Sequence, residues 1–105
     1  MELKKLQGKI YKIFLDDIKR HKIKTNDDYL PLKITEELGE FVQSYLVHKK
    51  RCRPEKYLSP QASKKELSKE LADVFCLILV IAKELNIDLE EAVFKKWVSK
   101  EWIKK

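Results

Sequence analysis

Residues 63–85 read SKKELSKELADVFCLILVIAKEL, and this stretch decides the fold class. Ser63-Lys64-Lys65-Glu66 matches a capping box, so a helix is predicted to begin at Ser63. It should continue to about Leu85, with Asn86 ending it. Glu70 and Asp73 are three residues apart and therefore point from one face. At about 100° per residue they share that face with Leu77 and Val80. Leu71, Phe75, Ile78 and Leu79 occupy the opposite faces. From Val74 onward the segment is apolar nearly all round, which predicts burial on most sides. Two acids thus open a segment where a carboxylate would be costly unless paired or bound to a cation.

Working outward, the rest of the chain also reads as helix. Leu3, Leu6, Ile10, Ile13, Phe14 and Ile18 recur at spacings of three and four, predicting a first helix over 2–22. Thr25-Asn26-Asp27-Asp28 breaks it with turn chemistry. Pro31 suits the start of a second helix that runs to about Lys50. Its expected buried stripe is Ile34, Leu38, Phe41, Val42, Tyr45 and Leu46. Residues 51–61 hold Pro54 and Pro60 and read as a loop. Asp88 caps a fourth helix, with Glu90 and Glu91 in its first turn, where acids favour the helix dipole. That helix is expected to carry Leu89, Ala92, Val93, Trp97, Trp102 and Ile103. Nothing reads as a strand or a repeat. Four helices with short connections predict an all-α antiparallel four-helix bundle, one domain over 1–105.

Composition narrows the class. Hydrophobic content of 44% with 38% charged residues fits a folded helical protein, and only two glycines and three prolines leave little turn material. The formal net charge of +6 suits a polyanionic partner, either nucleic acid or a nucleotide's phosphates, although charge alone favours the plainer reading of solubility and solvated helix ends. Cys52 and Cys76 do not form a disulfide framework; Cys76 should pack as a small hydrophobe. The lysine-rich start is not followed by an apolar signal core. The run from Val74 to Ala82 falls well short of the ~20 residues needed to span a bilayer. A cytoplasmic location is therefore expected. The third helix carries more apolar surface than three short neighbours can cover, so a homodimer is expected, with a tetramer as the larger option.

A second acidic set lies in Glu36-Glu37-Leu38-Gly39-Glu40. Glu37 sits at the edge of the apolar stripe, Glu40 one step further round, and Glu36 further still, nearer solvent. Either acidic set alone is explained by helix propensity and the helix dipole. Two sets on adjacent antiparallel helices, one of them buried, would instead cage a hard divalent cation. All the donors are oxygens, which favours Mg2+, or Mn2+, over zinc. A di-iron centre would require Glu-x-x-His motifs, which are absent. His21 and His48 receive no role.

These residues resemble the all-α nucleotide pyrophosphohydrolase superfamily, which includes MazG-type proteins, dimeric dUTPases and phosphoribosyl-ATP pyrophosphohydrolase. The superfamily pattern is EExxE, a spacer, then ExxD, here Glu36-Glu37-Leu38-Gly39-Glu40 and Glu70-Leu71-Ala72-Asp73. The apolar run after Asp73 and the segment from Glu84 to Ala92 add to the likeness, which covers roughly Leu32 to Lys96. The resemblance implies that Glu37, Glu40, Glu70 and Asp73 are Mg2+ ligands. It implies that Glu36, matching the first position, holds an activated water or a second metal, which makes Glu36, Glu37 and Glu40 the catalytic set. The implied reaction is hydrolysis of a nucleoside triphosphate to the monophosphate and pyrophosphate. Many relatives carry Lys, Asn and Arg in the last helix for phosphate. Here Lys95, Lys96 and Lys100 occupy that region without a clear Asn or Arg, and Lys96 is the candidate phosphate contact. Lys33, one turn before the motif, is the second candidate, since phosphoribosyl-ATP enzymes have a lysine in a similar place. Each lysine reads equally well as a solvated helix residue. The spacer from Phe41 to Lys69 is long for the superfamily, so the 51–61 loop reads as an elaboration.

Two other functions stay open on the sequence. One is hydrolysis of phosphoribosyl-ATP in place of a general triphosphate. The other is a non-catalytic helical protein binding nucleotide or nucleic acid, supported by Lys49, Lys50, Arg51 and Arg53 but by no recognised nucleic-acid motif.

Overall fold

The computed structural model describes residues 2–101, and every regular element among them is helical. The elements are α1 (Leu3–Arg20), α2 (Tyr29–His48), a 3-10 turn (Pro54–Lys56), α3 (Pro60–Glu84), α4 (Leu89–Val93) and a π turn (Phe94–Val98). The expected all-α class is what the chain adopts. Two compact units are present, one of Met1–Lys24 with Ile78–Lys105, the other of Thr25–Leu77. α3 contributes residues 60–77 to the second unit and its last two turns to the first.

The helix ends show how this chain manages with two glycines. α1, α2 and α3 each close with a residue in the left-handed region: Lys22, Lys50 and Asn86, at φ 53, 58 and 60°. After each, the next amide reaches back five residues: Ile23 to Ile18, Arg51 to Leu46 and Ile87 to Ala82, at 2.8–3.0 Å. This is the Schellman closure, which satisfies carbonyls that a helix end would otherwise orphan. Asn tolerates the conformation; lysine does so against the clash of its Cβ.

Several sequence expectations are corrected. α3 begins at Pro60, three residues before the predicted capping box. The Ser59 hydroxyl caps it, accepting from the Ala62 amide at 3.1 Å, and Pro60 takes the first helical position, where its missing N–H costs nothing. Ser63 is instead a buried residue of the first turn, 3% exposed, donating to the Pro60 carbonyl at 3.2 Å. Its hydroxyl also meets His48 Nδ1 at 2.8 Å, so His48 has a structural partner where none was expected. α2 begins at Tyr29, which puts Pro31 inside the first turn, where the N–H it lacks has no intrahelical partner anyway. The fourth helix is short and passes into the π turn after Val93. Its Asp88 cap is as expected, accepting from the Glu91 amide at 3.0 Å. Trp102 and Ile103 lie outside the described residues.

The largest correction concerns burial. Val74, Leu79, Val80 and Ala82 are buried, as the apolar run predicts. Leu71 and Phe75 on the same helix are not, and Leu38, Val42, Tyr45 and Leu46 leave the α2 stripe open. No residue of α2 is buried. In the first unit, α1 is tied to the end of α3 by the Gln7 amide donating to the Leu79 carbonyl at 2.9 Å and by the Tyr11 hydroxyl donating to Glu84 at 2.8 Å.

Candidate active site

In the second unit α2 and α3 run antiparallel, as two contacts show. His48, at the end of α2, meets Ser63, at the start of α3. Further along, Glu37 meets Glu70 and Asp73, and one carboxylate oxygen from each of the three lies within 4.8 Å of the other two. The amphipathic pattern of each helix sets this. The i, i+3 spacing puts Glu37 and Glu40 on one α2 face and Glu70 and Asp73 on one α3 face, and the antiparallel pairing brings the faces together.

The cluster carries its own electrostatic signature. Oε2 of Glu37 and Oε2 of Glu70 are both buried and have no hydrogen-bond partner among the described residues. Burial pushes the Glu37 carboxyl above the usual range, and a hydrogen bond with Glu40 plus the charges of Glu40 and Asp73 push it further, with Lys33 opposing. Glu70 is raised in the same way, first by burial and then by the charges of Glu40 and Asp73. Glu40, although exposed, is thus a neighbour of both groups whose charge raises each of them. Like charges held this close disfavour one another's ionised form, and a cation among them would relieve that.

A hard divalent cation fits this need. The donors are all carboxylate oxygens, two of them buried and unpartnered, at separations that one ion can span. Cys76 lies close enough that the Asp73 charge adds to burial in raising its thiol pKa, so it stays a protonated, inert neighbour.

The remaining candidates differ in their surroundings. Glu36 is exposed and its Oε1 accepts from Lys33 Nζ at 2.7 Å. The same ammonium stands 3.7 Å from Glu37 Oε1. The Glu36 hydrogen bond holds the Lys33 ammonium above its ordinary pKa, against a smaller opposing effect of burial. Lys33 is thus committed to the carboxylates. Lys96 is an exposed residue of the π turn in the first unit. Trp97 beside it is 74% exposed.

The reading of the sequence missed what lies beside the carboxylates. A cavity of about 540 Å3 opens on Glu40 and Glu70 and is lined also by Gln43, Ser44, Cys52 and Lys56. Gln43 and Ser44 follow Glu40 by three and four residues, so α2 periodicity carried that part of the signal. Lys56 comes from the loop, where no periodicity exists.

An all-helical chain with an EExxE and an ExxD set converging on one acidic centre defines the class: the all-α nucleotide pyrophosphohydrolases. The family model for phosphoribosyl-ATP pyrophosphohydrolase matches residues 10–97. The chain belongs to that family, and with it to the hydrolases that act on phosphoric anhydrides. No curated protein and no solved structure matches it. No helix among the described residues is long and apolar enough to cross a membrane.

Proposed function

We propose that this protein hydrolyses phosphoribosyl-ATP to phosphoribosyl-AMP and pyrophosphate with Mg2+ as its cofactor, Mn2+ being the alternative ion. The observation carrying this reading is the convergence of Glu37, Glu70 and Asp73, two of them with buried unpartnered oxygens, inside a chain of that family. The family match turns the substrate away from a general nucleoside triphosphate, the first expectation from the motifs, and toward phosphoribosyl-ATP.

In this proposal Glu37, Glu70 and Asp73 hold the ion and Glu40 completes the set. Bound Mg2+ would neutralise phosphate charge and polarise the phosphoryl group under attack. Glu36, at the solvent edge of the same helix, orients the attacking water and accepts its proton on a carboxylate oxygen. Water oxygen bonds to the α-phosphorus, the bond from that phosphorus to the α–β bridging oxygen breaks, and pyrophosphate leaves. Lys33 holds Glu36 in place and offsets the negative charge of the cluster. Lys96 remains a proposed phosphate contact on the strength of its position in the chain alone. A second copy of the chain covering the open apolar faces of α2 and α3 is also part of the proposal.

The test is pyrophosphate release from phosphoribosyl-ATP and from a panel of nucleoside triphosphates, in Mg2+ or EDTA, for wild type and Glu40→Gln. Mg2+-dependent release from phosphoribosyl-ATP, reduced about 10²-fold or more by the substitution, is the expected result. Preferential turnover of a common triphosphate would transfer the enzyme to that substrate. No release from any of them would overturn the reading.

A further inference from the structure

The cavity beside the carboxylates is lined by groups of two kinds: the acids Glu40 and Glu70, and the polar or basic residues Gln43, Ser44 and Lys56. Among the described residues no carboxylate pairs with Lys56, whereas Lys33, Lys69 and Lys95 all have acidic partners. The 3-10 turn fixes the backbone there. Pro54 begins it, and the Lys56 and Tyr57 amides close onto the Arg53 and Pro54 carbonyls at 2.9 and 3.0 Å. The lysine is therefore presented by an ordered turn. Its neighbours are occupied elsewhere: the Lys49 and Lys50 ammonium groups stand 5.8 Å from the ring centres of Tyr45 and Tyr57. At about 540 Å3 the cavity lies within the range of small-molecule sites. A cation and two neutral polar residues lining one cavity with two carboxylates suit a ligand with one anionic group on a metal and another on the lysine.

We infer that Lys56, with Gln43 and Ser44, forms a phosphate-binding wall for the acidic centre, in a cavity that the elaborated 51–61 loop completes. This rests on the reading above, that the carboxylates hold a metal and the substrate is a nucleotide. The phosphate has two possible sources, the departing pyrophosphate and the 5-phosphate of the phosphoribosyl group. Lys56 is a binding residue, so its loss should raise KM more than it lowers kcat.

The experiment measures calorimetric binding of magnesium pyrophosphate and of ribose 5-phosphate to wild type, Lys56→Gln, Lys56→Arg and Lys49→Gln. Alkylation of Cys52, read by mass spectrometry beside that of Cys76, is followed with and without each ligand. Lys56→Gln is expected to weaken one ligand about tenfold, Lys56→Arg to retain it, and Lys49→Gln, outside the cavity, to leave it unchanged. That ligand should also slow alkylation of Cys52. Weakened pyrophosphate assigns the wall to the leaving group; weakened ribose 5-phosphate assigns it to the sugar end. If Lys56→Gln changes neither affinity, or Lys49→Gln weakens binding equally, the wall does not exist. Lys56-dependent binding in a protein that hydrolyses nothing would sink the proposed reaction and leave the wall standing.

Discussion

At the residue scale, Glu37 and Glu70 store an unfavourable charge that the proposed ion would relieve. Both carboxyls are raised when folded, chiefly by burial and by the neighbouring acids. A carboxyl with a raised folded pKa contributes stability below its unfolded pKa, about 4.3. That stability is lost as pH rises through the folded value. Metal-free protein should therefore melt at a lower temperature at pH 7 than at pH 5 on account of these two groups. Added Mg2+ should return the loss, and the shift it causes should grow with pH. Thermal melts in EDTA and in Mg2+ across this range check both points, and a Mg2+ shift independent of pH would contradict them. Glu70→Gln removes the charge while keeping the shape. It should raise the melting temperature of the metal-free protein, abolish the Mg2+ shift and abolish turnover, a combination that a merely structural glutamate would not give.

Among the elements, helix ends carry much of the information. Ser59 satisfies an α3 amide that nothing else reaches, so Ser59→Ala should cost about 1 kcal/mol in chemical denaturation. At the end of α2, Lys50 holds φ 58° with a side chain that disfavours it. Lys50→Gly should stabilise by about 0.5–1 kcal/mol, because relief of the left-handed strain outweighs the added freedom of the unfolded chain. Denaturant midpoints for the two variants should move in opposite directions. Both ends are easy to misread from sequence. Ser63-Lys64-Lys65-Glu66 has the form of a cap, yet Ser59-Pro60 three residues earlier wins, because proline in the first turn extends the helix by a turn at no loss of a hydrogen bond.

For the whole molecule, the deciding feature is the apolar surface left open on α2 and α3. Leu38, Val42, Tyr45, Leu71 and Phe75 are each more than two-fifths exposed. Contiguous apolar surface on one protein is costly in water and marks an association face. The proposed second copy of this chain would cover it. Sedimentation should show a dimer or larger assembly at micromolar concentration, and Phe75→Asp should shift it toward monomer with a loss of stability. A wild-type monomer at that concentration would remove the second copy from the proposal.

The sequence by itself determined the helices, their approximate limits, and the two acidic sets, because helical periodicity and i, i+3 spacing are local properties of the chain. It also pointed to the superfamily, through the EExxE and ExxD pattern, while the family within it came from the match over residues 10–97. Only the tertiary structure decided that Glu37, Glu70 and Asp73 converge and that two of their oxygens lack partners, since burial and hydrogen bonding depend on what the neighbouring helix brings. The apolar stripes illustrate the same limit: their pattern specifies that a face wants covering, but not by what, and the folded chain leaves much of the α2 stripe and the Leu71–Phe75 face open. Lys56 lies furthest from sequence reasoning. It sits in a loop without periodicity, and its place beside the carboxylates arises from the path the chain takes between α2 and α3.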